Sequence, residues 1–217
     1  MGTRLFLLFI FILLPFGYAY YIYPSLPNII PTHFNGSGEA DAWGDKSTIY
    51  LLPFIMGVAS VVVFLILSNV KKLDPKRYAS VDDHQYKTLA LYVVVFLSLL
   101  SLIIIYATAH AGVQIDKLLF PFLGLGFAGF GIYMPKIKQN YFAGFRLPWT
   151  LESEANWIAT HRLAGKIWIV GGLVQFIAEL VIENEFRIYV FMSLIIIMTL
   201  IPSIYSYLFF RKEKSMN

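Results

Sequence analysis

Six apolar stretches, each close to the length that a helix needs to cross a bilayer, constrain this chain more than any other feature. A transmembrane helix takes about 20 mostly apolar residues, because all its backbone groups must bond within the segment. The stretches lie at residues 5–23, 48–70, 88–109, 118–134, 167–182 and 188–210. None alternates apolar and polar residues as membrane β-strands do. The sequence predicts an all-α membrane protein, a bundle of six transmembrane helices.

Composition supports the same class. Hydrophobic residues make up 58% of the chain, charged residues make up 14%, and the mean hydropathy is +0.68. Soluble domains are about 45–50% apolar and about 25% charged. This excludes a soluble enzyme, a nucleic-acid-binding domain and a disordered tail. The chain has no cysteine, which excludes disulfides, thiolate nucleophiles, iron–sulfur clusters and Cys-ligated zinc. No cofactor is expected.

The basic residues predict the orientation of the helices. If the N-terminus is inside and the spans alternate, 14 of the 17 Lys and Arg residues are inside and 3 are outside. Membrane proteins keep this excess on the cytoplasmic side, so both termini are predicted to be cytoplasmic. The inner residues are Arg4, Lys71, Lys72, Lys76, Arg77, Lys87, Lys136, Lys138, Arg146, Arg162, Lys166, Arg211, Lys212 and Lys214. The outer residues are Lys46, Lys117 and Arg187.

The first span has two interpretations. Its start resembles a signal peptide, with Gly17 and Ala19 as small residues near a cleavage site. The apolar stretch continues to Tyr23 with an aromatic belt, which favours a retained transmembrane helix. Cleavage would leave five spans without changing the sides of the others.

The first outer loop, residues 24–47, carries polar groups that could bind a ligand. The candidate binding residues are His33, Asn35, Glu39 and Asp41. With Asp45, the acidic and imidazole groups could converge on a cation, but their spacing matches no EF-hand or zinc-protease motif. Gly36, Gly38 and Gly44 permit tight turns. The sequence is compatible with two interpretations, a hydrated polar loop and a ligand- or metal-binding loop.

The inner loop, residues 135–166, is long for this chain. Gly144 and Pro148 disfavour a helix in its first half. Thr150 is the predicted N-cap of a helix that starts at Leu151, runs along the interface and leads into the fifth span. The alternative is a docking or lipid-head-group surface. The basic residues of that surface would be Lys136, Lys138, Arg146, Arg162 and Lys166.

The inner loop also concentrates the candidate binding residues. Arginine can make forked hydrogen bonds to carboxylate or phosphate, tryptophan suits the interface, and a helix from Leu151 would bring His161 back over the same site. The candidates are Asn140, Arg146, Pro148, Trp149, Thr150, Glu154, Trp157, His161 and Arg162.

Two spans contain unusual residues. Gly124, Ala128 and Gly131 lie on the fourth span, where small residues let another helix approach closely. We predict helix packing there rather than dinucleotide binding, because that motif needs a preceding strand.

In the fifth span, Glu179 follows Gln175 by about one turn. A carboxylate in lipid indicates function, although this one could also reach water at the outer interface.

The inner loop resembles a known family, the SdpI-type immunity proteins. Residues 140–166 are similar to its signature, N-x-F-x-G-[IF]-R-[TL]-P-W-T-L-x-x-E-x-x-W-x-x-T-H-R-x-x-G. The outer loop, from Pro31 to Lys46, resembles the uncharacterised N-terminal domain that commonly precedes this signature. The resemblance divides the chain into an N-terminal two-helix region, residues 1–87, and a four-helix region, residues 88–217.

The resemblance implies a multi-pass cell-membrane protein that protects against a secreted antimicrobial peptide. It also implies a receptor that draws a cytoplasmic transcriptional repressor to the membrane. The expected partners are the lipid bilayer, a toxin peptide outside and a repressor inside, with no direct binding of nucleic acid. The alternative is a membrane enzyme or small-solute transporter that acts on a lipid-linked or amphipathic substrate through the inner-loop Arg, His and Trp groups. The absence of an obvious catalytic constellation favours binding over turnover.

Overall fold

The computed structural model describes residues 2–73 and 83–216. Within them, six helices are long and apolar enough to cross a membrane. This confirms the predicted all-α membrane class and its six spans. The cytoplasmic placement of the termini stays a prediction, and two of the basic residues on which it depends, Lys76 and Arg77, lie outside the described residues.

The described residues contain one β-hairpin and the following helices. We name them in chain order. They are α1 (Gly2–Ile22), α2 (Leu51–Ser68), α3 (Val70–Leu73), α4 (Asp83–Ala109), α5 (Asp116–Tyr133), α6 (Pro148–Glu152), α7 (Glu154–Val181) and α8 (Asn184–Met216). The strands are β1 (Ile29–Phe34) and β2 (Ala40–Asp45), and 3-10 turns cover Tyr23–Ser25, Lys46–Tyr50 and Met134–Lys136.

The chain divides into two compact units. The first contains the described residues up to 69 with residues 84–119, and the second contains residues from 120 onward with the segment that begins at residue 70. The predicted division of the chain after residue 87 is based on resemblance to two sequence families, and it stays a prediction. The units group α4 with the N-terminal helices.

The first unit contains a β-hairpin that the sequence did not predict. Strands β1 and β2 pair antiparallel, with Ile30 opposite Gly44 and Pro31 opposite Trp43. The register shifts between Pro31 and His33, which leaves a bulge at Thr32. The hairpin is anchored by apolar burial, because Ile30 joins a cluster with the ends of α1 and α4. The other buried members are Ala19, Ile22, Leu26, Ile49 and Ile105.

The second unit is organised by close contact between α5 and α7. A Cβ on Gly124 would lie 2.8 Å from the carbonyl oxygen of Gly172, and one on Gly131 would lie 2.8 Å from the carbonyl oxygen of Gly165. Two helix backbones can meet this closely only where side chains are absent. The small residues of both helices therefore set the distance between α5 and α7.

The structure differs from the sequence prediction at the start of the fifth span. No separate interfacial helix begins at Leu151; a short helix, α6, ends at Glu152, and α7 then runs unbroken from Glu154. Ser153 is the N-cap of α7, since its hydroxyl accepts the N–H of Asn156. Thr150 lies inside α6, where its hydroxyl accepts the N–H of Leu147. Ser153 and Thr150 are both good N-cap residues. Their tertiary contacts determine which of them caps α7.

Candidate functional site

The inner loop is folded around the buried amide of Asn140. Its Oδ1 accepts the N–H groups of Phe142 at 2.6 Å and Ala143 at 2.7 Å. Its Nδ2 donates to the carbonyls of Lys138 at 2.7 Å and Ala143 at 3.1 Å. The residue is fully buried. Asn140 therefore substitutes for secondary structure in this turn, since buried backbone groups must find partners.

The imidazole of His161 joins this turn to α7. Its Nε2 accepts the N–H of Phe145 at 3.0 Å, so its Nδ1 is the donor to the carbonyl of Trp157 at 2.8 Å. The ring stacks on the indole of Trp157 at 4.0 Å between centroids. Gly144 has a φ of +104°, and a Cβ there would overlap the ring of His161. Glycine at this position lets the loop close on the histidine.

Thr150 and Trp157 complete what we call the inner-loop core, which consists of Asn140, Thr150, Trp157 and His161. Each member is at most 1% exposed. The hydroxyl of Thr150 lies 2.6 Å from the carbonyl oxygen of Phe145, and the indole N–H of Trp157 donates to the carbonyl of Ile137 at 2.7 Å. Four predicted site residues therefore meet in one place, where their polar groups hold the loop itself.

The other inner-loop candidates lie outside this core. Arg146, Pro148, Glu154 and Arg162 are exposed. The Arg146 guanidinium donates to the carbonyl of Tyr141 at 2.9 Å. We define the inner basic surface as Lys136, Lys138, Tyr141, Phe142 and Arg146, all of which are exposed. This surface is the exposed part of the loop in which basic and aromatic side chains lie together.

The contacts of Trp149 reveal residues that the sequence analysis missed. Its indole N–H donates to the hydroxyl of Ser206 on α8 at 2.7 Å. The amide of Asn156 donates to the carbonyl of Ser206 at 2.9 Å and accepts the hydroxyl of Thr160 at 2.9 Å. Gln139 donates to the carbonyls of Thr150 and Leu151. A serine in an apolar span was the available signal, because polar side chains join helices in lipid.

The candidate binding residues of the outer loop form an exposed side-chain pair and a turn. Nδ1 of His33 and Oδ1 of Asp41 are 2.5 Å apart, with side chains 67% and 45% exposed. Asn35 accepts the N–H groups of Ser37 and Glu39 and so closes the hairpin turn. Hydrogen bonds from Ser47 lower the pKa of Asp45, which caps the next 3-10 turn. These residues do not converge on one point, because each serves its own local turn or strand pair.

The tip of the hairpin rests on the start of α5. Gly38 has a φ of +76°, and a Cβ there would lie 2.9 Å from the carboxyl carbon of Asp116. Asp116 is 1% exposed. Both the backbone conformation and the contact require glycine. Gly38 therefore positions the hairpin over the helix ends of the first unit.

Glu179 lies in a buried polar cluster instead of reaching water. It is 2% exposed, and it accepts a hydrogen bond from the amide of Gln175 on the preceding turn of α7. Nη1 of Arg187, near the start of α8, lies 3.6 Å from its second oxygen. Arg187 also donates to the carbonyl of Ile182 at 3.1 Å. The cluster links the two helices across the turn between them.

The side chains of the described residues do not form a metal site. Across residues 2–73 and 83–216, no group of three or more His, Asp or Glu side chains could hold a metal ion. The hydrogen-bonded groups of the inner-loop core are committed to neighbouring backbone and side-chain atoms. This arrangement suits a binding surface on a fixed scaffold.

Comparison with known proteins agrees with the signature in the inner loop. Residues 136–206 match the model of the SdpI/YfhL protein family, and residues 10–57 match a domain of unknown function, DUF1648. The segment from residue 136 to residue 206 is therefore similar to the SdpI/YfhL protein family. The family match begins at Lys136 and ends at Ser206, so it spans the inner-loop core and the hydrogen bond between Trp149 and Ser206.

Two relatives extend this result. The immunity protein SdpI of Bacillus subtilis is 25% identical over 208 residues, which cover 94% of this chain and 94% of that protein. An uncharacterised protein of Archaeoglobus fulgidus is 34% identical over 49 residues, 23% of this chain and 27% of that protein. No solved structure matches. With its six apolar helices, the chain is a multi-pass protein of the cell membrane.

We predict that His161→Ala lowers the stability of the folded protein by about 2–4 kcal/mol, through a cavity and an unpaired N–H on Phe145. Arg146→Ala should change stability by less than about 0.5 kcal/mol, because the side chain is exposed. Thermal unfolding of the detergent-purified variants measures both. Equal stabilities would show that the inner-loop core is not structural.

Proposed function

We propose that this chain is a membrane immunity protein that protects its own cell from a secreted antimicrobial peptide. The observation that carries the proposal is the similarity to the immunity protein SdpI over 94% of both chains. Similarity along the whole chain includes the outer hairpin and the inner loop together. Both regions therefore have counterparts in a protein whose name states its function.

The site geometry supports binding over turnover. The buried histidine and threonine of the inner-loop core are engaged by the loop's own backbone. The exposed charged groups include the carboxylates of the outer hairpin and the cations of the inner basic surface. A protein that binds a peptide on one side of the membrane and a protein partner on the other side needs such surfaces.

The test is the fate of cells that lose the gene. We expect a deletion strain of the host to be killed by conditioned medium from its parent, and the full chain expressed from a plasmid to restore survival. His161→Ala serves as the control for a chain that is made but poorly folded. A deletion strain that grows normally beside its parent, under conditions in which the parent kills other sensitive cells, would contradict the proposal.

We further propose that the inner basic surface draws a cytoplasmic repressor to the membrane when the peptide is bound. Its support is the exposure of Lys136, Lys138 and Arg146 beside exposed aromatic rings, a composition suited to an acidic protein surface. Lys136→Glu with Lys138→Glu should preserve survival and abolish the transcriptional response to conditioned medium, as measured by RNA sequencing. An unchanged response would exclude this surface as the docking site.

A further inference from the structure

We propose that the cleft beneath the outer hairpin binds the apolar face of a cationic amphipathic peptide. We call it the hairpin cleft. It has a volume of about 650 Å³ and lies between β1, α2 and α4 in the first unit. The inference rests on the proposed immunity function, because it assigns a site and a chemical class to the peptide that this function requires.

The walls of the cleft are apolar. Ile30 and Phe34 line it from β1, Leu52 and Ile55 from α2, and Ile104 from α4. The volume falls within the roughly 300–1,000 Å³ range of ligand pockets. Such walls favour apolar side chains, with a driving force of about 25 cal/mol for each Å² removed from water.

The cleft opens beside the exposed surface of α2. Ile55, which lines it, is 51% exposed, and its neighbour Leu51 is 58% exposed. Both belong to a transmembrane helix, so these faces adjoin lipid. The rim is polar, because Thr32, His33 and Thr48 also line the cleft. A ligand that enters here contacts lipid and water at once, which is the position of an amphipathic helix at a membrane surface.

The charge of the hairpin selects among amphipathic ligands. Glu39, Asp41 and Asp45 are exposed on it, and Lys46 is the one basic residue between residues 29 and 46. The formal charge of this segment is −3 + 1 = −2 with His33 neutral. An anionic lipid head group would be repelled by the hairpin, whereas lysine or arginine side chains would be attracted to it. Charge complementarity therefore favours a cationic peptide over a lipid.

The binding experiment uses the full chain in nanodiscs of zwitterionic phosphatidylcholine. The probe is a fluorescent 18-residue Lys/Leu amphipathic helix, and its anisotropy is compared with that in empty nanodiscs. Ile55→Trp fills the cleft and should weaken binding at least about tenfold, as loss of a buried anchor does. Val58→Trp is the matched control, since Val58 is 49% exposed on the same helix and does not line the cleft.

A second variant and a charge variant complete the design. Thr32→Trp obstructs the cleft from β1 and replaces Ile55→Trp if that variant does not fold. Glu39→Gln with Asp41→Asn should weaken binding at low salt and change it little at high salt, because exposed charges are screened.

Two binding results would overturn the inference. One is the absence of probe binding to the unmodified chain, and the other is equal binding by the cleft variants and Val58→Trp. Photolabelling of the cleft by a diazirine phosphatidylcholine, undiminished by the probe, would assign it to lipid and also overturn the inference.

Survival assays separate this inference from the immunity function. If the chain protects cells and Ile55→Trp and Thr32→Trp protect equally well, the immunity function stands and the cleft is not the peptide site. If the chain does not protect, but the probe binds and the cleft variants weaken it, the immunity function fails and the cleft remains a site for cationic amphipathic peptides.

Discussion

Replacing Arg187 by methionine is expected to destabilise the folded protein by about 3–5 kcal/mol, the usual cost of removing one partner from a buried ion pair. The guanidinium lies 3.6 Å from the carboxylate of Glu179, and the two side chains are 8% and 0% exposed. Without it, the Glu179 carboxylate keeps the hydrogen bond from the Gln175 amide but loses its buried cationic neighbour. Burial of a carboxylate without a nearby cation costs free energy.

The double variant Glu179→Gln with Arg187→Met is the matched control. It removes both charges, so it should recover most of the stability that Arg187→Met loses, because neutral replacement of a buried pair is often tolerated. Thermal unfolding in detergent and the monodisperse fraction on size-exclusion chromatography measure both variants. If the double variant is no more stable than the single one, the guanidinium acts through its bond to the Ile182 carbonyl rather than through Glu179.

Gly131→Leu is expected to cost about 3 kcal/mol or more, at or above the upper end for overpacked cores. A Cβ at this position would lie 2.7 Å from the backbone nitrogen of Ile169 and 2.8 Å from the carbonyl oxygen of Gly165. These are backbone atoms, so no side-chain rotation relieves the contact, and α5 must move away from α7. We expect a large loss of folded yield on fluorescence-detected chromatography.

Gly17→Leu is the control for that substitution. Gly17 lies within α1, and a Cβ on it would meet nothing within 4 Å. The control introduces the same side chain into a helix of the same apolar kind, so it separates steric contact from changes in helix propensity. If Gly131→Leu purifies with the stability of Gly17→Leu, the close contact between α5 and α7 is not needed for folding.

The class of this protein could be predicted from sequence because it depends on local properties. Length and hydropathy within one segment determine whether a helix can cross a bilayer, and each predicted span overlaps one of the six long helices. The β-hairpin was harder to predict. Turn glycines were recognised, but pairing of Ile30 with Gly44 and burial of Ile30 depend on contacts with distant helices.

The inner loop shows the limit of sequence reasoning about a site. Its signature made Asn140, Arg146 and His161 candidates alike and did not distinguish between them. Asn140 and His161 are buried with their polar groups bonded to the loop, whereas Arg146 is exposed. Sequence spacing cannot make this distinction, because burial depends on which helix covers the loop.

By itself, the sequence determined the membrane class, the number of spans and the two regions where polar groups concentrate. Tertiary structure alone decided that α7 starts at Glu154 with Ser153 as its N-cap, since the hydroxyl of Thr150 is already bonded to the loop. It also decided that Glu179 of α7 lies beside Arg187 of α8, across the turn that joins the two helices. The physical reason is the same in each case. Hydropathy and propensity act within a segment, but the partners that satisfy a buried polar group come from elsewhere in the chain.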